Sequence, residues 1–151
     1  MKVSKECLEM IKHHEGVRSK PYKCPAGLWT VGVGHVIGDG KSLPKEWNRT
    51  FTPDEIDSIL AADLQRFERG VLRLCPRNLN QNRFDALVSF AFNVGLGSLQ
   101  RSTLRMKHNR GEIDACAQEF LKWSKAGGKV LKGLLKRRQD ESRLYQKEAT
   151  N

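Results

Sequence analysis

The string Trp29-Thr30-Val31-Gly32-Val33-Gly34-His35 limits the fold of this chain more than any other stretch. Trp29, Val31 and Val33 alternate with small residues, which is the period of a strand and not of a helix. Gly32 and Gly34 let the hairpin backbone come close to a bound polymer. Residues 17–37 therefore read as a short antiparallel sheet, followed by a turn at Gly38-Asp39-Gly40.

Helical periodicity lies on both sides of that stretch. Ser4 can cap a first helix over about residues 4–14, with Val3, Leu8, Met10 and Ile11 on its apolar face and Glu15-Gly16 at its end. Thr52-Pro53-Asp54-Glu55 is a helix start with Thr as N-cap, Pro in the first turn and Glu closing a capping box. Ile56, Ile59, Leu60, Leu64 and Phe67 continue it toward Arg69-Gly70. Phe84, Leu87, Val88, Ala91 and Phe92 predict a mostly buried helix that stops at Gly95-Leu96-Gly97. Shorter helices are expected around 98–110 and 112–123. Gly127-Gly128 breaks the chain before a last helix near 131–146.

The pattern predicts an α+β protein, mainly α, in one domain over residues 1–151. A sheet-bearing lobe covers about 16–58. A larger helical lobe is formed by 1–15 and about 67–151, and a helix over about 52–70 bridges the two. The expected cleft between the lobes has Glu15 at their junction.

A length of 151 residues suffices for a hydrophobic core without metal or disulfide support. Cys7, Cys24, Cys75 and Cys116 are scattered with no CxxC pair, which argues against a zinc site and a disulfide scaffold. His13 and His14 do not share a helix face, so they make no metal site. Nothing in the pattern calls for a cofactor. No apolar run approaches the roughly 18 residues of a membrane span, and the first residues lack the apolar core of a signal peptide. A protein made and held in a cytoplasm is expected. Nothing suggests an oligomer, so a monomer is expected.

The formal charge is +10. From Lys122 to Lys147 there are nine Lys or Arg and two acids, so most of the excess sits near the C-terminus. Such a balance attracts nucleic acid, lipid headgroups or an acidic wall polymer. No helix-turn-helix, RNP or zinc-finger pattern accompanies it, and a nucleic-acid partner is not expected. Lys132, Lys136, Arg137, Arg143 and Lys147 on the last helix could instead hold an anionic wall or outer-membrane lipid.

Glu15, Cys24 and Thr30 stand at the spacing E-x8-C-x5-T. Together they can supply an acid, a base or nucleophile, and a group that positions water for hydrolysis of a glycosidic bond. Glu15 is the natural acid. It must hold its proton near neutral pH, which partial burial in a cleft would favour. Cys24, on a loop beside Lys23, has access and some thiolate character. Thr30 could hold a water opposite Glu15. His35 invites a Cys–His peptidase reading with Cys24, but a structural pair with Asp63 is the better expectation. Arg137 and Arg138 could pair with Glu141 on the surface, or an Arg could turn inward to orient Glu15.

These motifs resemble those of the phage-type lysozymes, the endolysins of glycoside hydrolase family 24. The resemblance covers nearly the whole chain. It rests on Glu15 to Thr30, on Thr30-Val31-Gly32-Val33-Gly34-His35, on Thr52-Pro53-Asp54-Glu55 and on Ala91-Phe92-Asn93-Val94-Gly95. It continues through Ser102-Thr103-Leu104-Arg105-Met106, then Trp123 before Ala126-Gly127-Gly128-Lys129, and ends in Gly133-Leu134 with Arg137-Arg138 and Glu141.

The resemblance implies a lysozyme-like two-lobed fold. It implies a muramidase cutting the β-1,4 bond between N-acetylmuramic acid and N-acetylglucosamine in peptidoglycan. Glu15 would be the general acid and Thr30 would place water. Gly34, Phe92 and Asn93 would line the sugar cleft, and His35 with Asp63 would be a structural ion pair. Cys24 stands where the family more often has Asp, a known variant that leaves either a water-activating or a directly attacking thiolate. Storage in a host cytoplasm, holin-dependent release and host lysis at the wall follow from the same resemblance.

Overall fold

The structure, a computed structural model, describes residues 1–148. Two compact units divide the chain: Leu8–Leu64, and Met1–Cys7 together with the chain from Gln65 onward. Helix α1 (Lys5–Glu15) begins in the second of these and ends in the first.

Within the Leu8–Leu64 unit, α1 stops where expected. Gly16 adopts φ +83° and donates its N–H to the Lys12 carbonyl at 2.9 Å. A side chain is strained in that conformation, so glycine is the natural residue to turn the chain off the helix. The strands β1 (Arg18–Lys23), β2 (Trp29–Gly32) and β3 (His35–Val36) then form one antiparallel sheet in that order. Tyr22 pairs with Thr30 and Lys23 with Trp29, while the register shifts between Arg18 and Tyr22. Thr30 pairs with Val36 and Val31 with His35.

The strand alternation ends at Val31. Val33 lies in the reversal between β2 and β3, flanked by Gly32 at φ +68° and Gly34 at φ +72°. It is buried all the same, with Ile11, Val31, Ile37, Phe51, Ile56, Leu60 and Leu64.

Helix α2 (Pro53–Leu74) opens with the expected capping box. The Thr52 N–H donates to Glu55 Oε1 at 2.9 Å, and the Glu55 N–H donates to Thr52 Oγ1 at 3.2 Å. Arg49 adds a two-pronged contact to the same carboxylate. The helix does not end at Gly70 as expected. That glycine is a packing residue: a Cβ there would lie 2.4 Å from Leu96 Cδ2.

In the other unit, α3 (Gln81–Val94) is buried from Phe84 to Ala91. Asn80 caps it by accepting the Arg83 N–H at 2.8 Å. The expected helix over 98–110 is two helices, α4 (Leu96–Arg101) and α5 (Thr103–Asn109). Ser102 divides them, because its hydroxyl accepts the Arg105 N–H at 3.0 Å and so caps α5. Helix α6 (Ile113–Phe120) follows.

The Gly127-Gly128 break proves to be a hairpin of β4 (Lys125–Ala126) and β5 (Lys129–Val130). Both glycines have positive φ, as a two-residue hairpin turn of this hand requires. Helix α7 (Lys132–Gln146) then lies along α3. Phe90, Phe120, Trp123 and Tyr145 join in edge-on and tilted ring contacts of 5.3–5.4 Å. The N-terminal residues are tied to this unit by the Val3 N–H, 2.8 Å from Glu68 Oε2, and by the Ser4 hydroxyl on Asp85.

Candidate active site

The β1–β2 hairpin carries two of the expected catalytic residues to one place. The Cys24 N–H donates to the Leu28 carbonyl at 2.9 Å, and the Gly27 N–H donates to the Cys24 carbonyl at 2.8 Å. This holds the thiol at the hairpin end, partly exposed. Its pKa is lowered, first by the backbone N–H of Leu28, with smaller contributions from the Ala26 backbone and the Thr30 hydroxyl. Donors aimed at sulfur favour the thiolate.

Thr30 is buried, and its hydroxyl also lies 3.0 Å from the Leu28 carbonyl oxygen. The single hydroxyl proton can serve Leu28 or the thiolate, but not both at once. Cys24, Leu28 and Thr30 are thus one hydrogen-bonded group within seven consecutive residues of hairpin.

The other three cysteines are buried thiols. Burial pushes Cys75 up to about 12 and Cys116 up to about 11. Cys7 is raised further, by burial and by Asp85.

Glu15 is the last residue of α1, in the same unit as Cys24 and Thr30. The partial burial expected of it is not found: Glu15 is exposed. It stands four positions after the buried Ile11, at the end of the helix where the chain turns away at Gly16.

His35 and Asp63 form the expected pair. His35 Nδ1 is 2.9 Å from Asp63 Oδ2 and 3.1 Å from Oδ1, and the imidazole stacks on Trp47 at 5.7 Å. Those contacts fix the ring just after Gly34, which is itself exposed at the reversal.

Phe92 and Asn93 sit near the end of α3. Phe92 meets Phe67 edge-on at 5.3 Å. Asn93 Oδ1 accepts a hydrogen bond from Arg138 Nη2 at 2.7 Å. The arginines of α7 do not form a surface pair with Glu141. Arg137, Arg138 and Glu141 are all buried, with Arg137 Nε 3.2 Å and Arg138 Nε 3.0 Å from the carboxylate. Ser89 donates to Glu141 Oε2 at 2.5 Å, and Arg137 Nη2 donates to the Ser89 carbonyl at 3.1 Å. Burial raises the Glu141 pKa while the two guanidinium groups pull it down.

Sequence reasoning treated Arg137 and Arg138 alike as partners of Glu141 and did not link Arg138 to Asn93. The signal was present: Leu134, Arg138, Glu141 and Tyr145 recur at helical spacing on one stripe, and Tyr145 is apolar enough to mark it as the inner face.

The basic α7 face is also smaller than expected. Arg137 is inside, Lys136 and Arg143 share Asp140, and Lys147 approaches Glu6 at 3.6 Å. Among the described residues, no helix is long and apolar enough to cross a membrane. No group of three or more His, Cys, Asp or Glu among them is placed to hold a metal ion.

The family model described as Phage lysozyme matches residues 12–141. An endolysin of Bacillus phage B103 is 41% identical over 147 residues, covering 96% of this chain and 54% of that protein. The chain spans about half the length of the Bacillus phage relatives it matches. A variant of P22 lysozyme has a crystal structure with TM-score 0.87 and 35% identity, covering 97% of this chain and 99% of the other. The muramidase domain of SpmX from Asticaccaulis excentricus follows at TM-score 0.83 and 32% identity, with coverage of 97% and 99%. On the extent of the family match, with the Cys24–Thr30 hairpin and the α3–α7 polar cluster inside it, this chain belongs to the phage lysozyme family.

Proposed function

We propose that the protein is a muramidase of the endolysin type, hydrolysing the β-1,4 bond between N-acetylmuramic acid and N-acetylglucosamine in bacterial peptidoglycan and so lysing a host cell. The observation that carries this reading is the Cys24–Leu28–Thr30 group in a chain of the phage lysozyme family. A thiol surrounded by donors is what a base or nucleophile at this position requires.

In the proposed reaction Glu15 gives its proton to the glycosidic oxygen as the bond to the anomeric carbon breaks. Water adds to that carbon, placed with help from Thr30, and its proton passes to the Cys24 thiolate. Exchange with solvent returns Glu15 to the acid and Cys24 to the thiolate. Direct attack by sulfur, followed by hydrolysis of the thioglycoside, is the other route open to the same residues. Gly34, Phe92 and Asn93 are the proposed sugar contacts, with His35, Asp63 and Arg137 as supporting residues. Action as a monomer, holin-dependent release from a host cytoplasm and contact with the wall belong to the same proposal.

The test is clearing of purified Gram-negative peptidoglycan with assay of new reducing ends. Wild-type protein should generate them, and Glu15→Gln should not. Release of amino groups without reducing ends would make the protein a peptidase and overturn the reading. Cys24→Ser reports whether the thiol is needed, and the anomeric configuration of the product separates the two routes.

A further inference from the structure

From Lys125 to Gly133 nine consecutive residues are exposed. The segment comprises the β4–β5 hairpin and the first residues of α7. Both strands of the hairpin are exposed at every position, so neither packs a face against the core. The hairpin is held instead by its own pairing, Lys125 with Val130 and Ala126 with Lys129, and by the Leu131 N–H on the Ser124 carbonyl at 3.0 Å.

Its composition is one-sided. Lys125, Lys129 and Lys132 lie in it, with no acid. Lys122, just before it, is held by Glu119, and Lys136, just after it, by Asp140. Among the described residues no ion pair joins Lys125, Lys129 or Lys132 to a carboxylate. Val130 is 54% exposed and Leu131 45% exposed. The other large exposed apolar residues, Met1, Val17, Val36 and Met106, stand singly in the sequence, which needs no explanation. Two adjacent aliphatic side chains ringed by uncompensated lysines do need one.

We propose that this hairpin docks on an anionic phospholipid surface. Val130 and Leu131 enter the boundary between headgroups and acyl chains, and Lys125, Lys129 and Lys132 meet the lipid phosphates. Charge alone would fit any polyanion. The aliphatic pair selects lipid, because burial at that boundary removes apolar surface from water while a hydrated wall polymer or nucleic acid backbone does not. The lysine stems can lie along the boundary with their ammonium groups in the phosphate layer.

The experiment is co-sedimentation of the full chain with phosphatidylglycerol–phosphatidylcholine vesicles and with vesicles of phosphatidylcholine alone. Wild-type protein should bind only the anionic vesicles, and less so as salt rises. Lys125→Gln/Lys129→Gln/Lys132→Gln should bind roughly a hundredfold more weakly, from the worth of each basic side chain at an anionic surface. Val130→Ser/Leu131→Ser should bind more weakly while keeping the salt dependence. Lys20→Gln/Lys41→Gln/Lys45→Gln removes equal charge from exposed positions of the other unit and should bind as wild type. Circular dichroism confirms that each variant is folded.

Equal binding to both vesicle types would overturn the proposal. So would undiminished binding by the hairpin variants, or equal weakening by the distant lysine variant. Vesicle binding that is absent while sacculus or DNA binding depends on the same lysines would reassign the surface to a polyanion. Vesicle binding involves no hydrolysis, so its outcome is separate from that of the muramidase test.

Discussion

Arg138 Nη2 lies 2.7 Å from Asn93 Oδ1, joining a buried guanidinium of α7 to an exposed amide near the end of α3. The same guanidinium stands against Glu141 and over the face of Phe90, 5.0 Å from its centroid. Asn93 therefore has its acceptor engaged from inside, which fixes which end of the amide is the carbonyl. Arg138→Met should cost about 3–5 kcal/mol in urea unfolding, because Glu141 loses one of its two guanidinium partners in a buried site. Asn93→Ala, which leaves the ion pair intact, should cost far less. Equal losses would mean that Glu141 does not depend on Arg138.

Cys24 should be the one thiol that reacts in the native protein. Iodoacetamide followed by mass spectrometry should find a single adduct, on Cys24, while Cys7, Cys75 and Cys116 react only after denaturation. The pH midpoint of that reaction should lie below the ordinary thiol value, given the donors around the sulfur. Thr30→Val removes one donor and should move the midpoint upward. A midpoint unchanged by Thr30→Val would show that the hydroxyl proton stays with the Leu28 carbonyl.

Gly40 bears on the same group from outside. It has φ +76°, and a Cβ there would lie 2.7 Å from Leu28 Cβ. Its carbonyl accepts the Trp29 N–H at 2.9 Å. Gly40→Ala combines backbone strain with a contact that no side-chain rotation relieves, and should destabilise the protein by about 1–3 kcal/mol. The Cys24 reaction rate should change as well, since Leu28 must shift. Gly127→Ala also forces a positive φ but meets nothing within 4 Å, so it should cost less and leave Cys24 unaltered.

Glu55 gives a dependence of stability on acid. Arg49, then the Thr52 backbone N–H, hold its carboxyl at about 2, against an ordinary value of 4.5. A depressed folded value means that the carboxylate stabilises the fold above the unfolded pKa. That contribution is lost as pH falls from about 4.5 through about 2. Glu55→Gln should flatten the pH dependence of the melting temperature in that window. The change should be modest and should shrink in salt, because the pair is solvent-exposed. A pH profile identical to wild type would show that the Arg49 contact is not formed in solution.

Local rules account for much of the molecule. The Thr52–Glu55 capping box and the Gly16 stop depend on residues within a few positions of one another, and each forms where the linear pattern points. The departures have separate causes. Gly70 reads as a stop, yet its missing side chain makes room for Leu96, 26 positions on. Ser102 splits a helix that periodicity alone would carry through. Gly127-Gly128 reads as a break and forms a hairpin, because both residues take the positive φ that its turn needs.

The candidate site divides in the same way. Cys24 and Thr30 are close because a short hairpin has only one way to pair Lys23 with Trp29, and the turn and register follow from residues 22–30 themselves. The pairing of His35 with Asp63 was foreseeable from chemical type. Which α7 arginine reaches Asn93, and whether the Arg–Glu141 contacts are wet or dry, depended on the rotation of α7 against α3. That rotation is set by burying Leu144 and Tyr145 with Phe90 and Phe120. Charge and spacing are properties of the chain. Desolvation is a property of the packed neighbours, and it turned an apparent surface ion pair into a buried polar cluster.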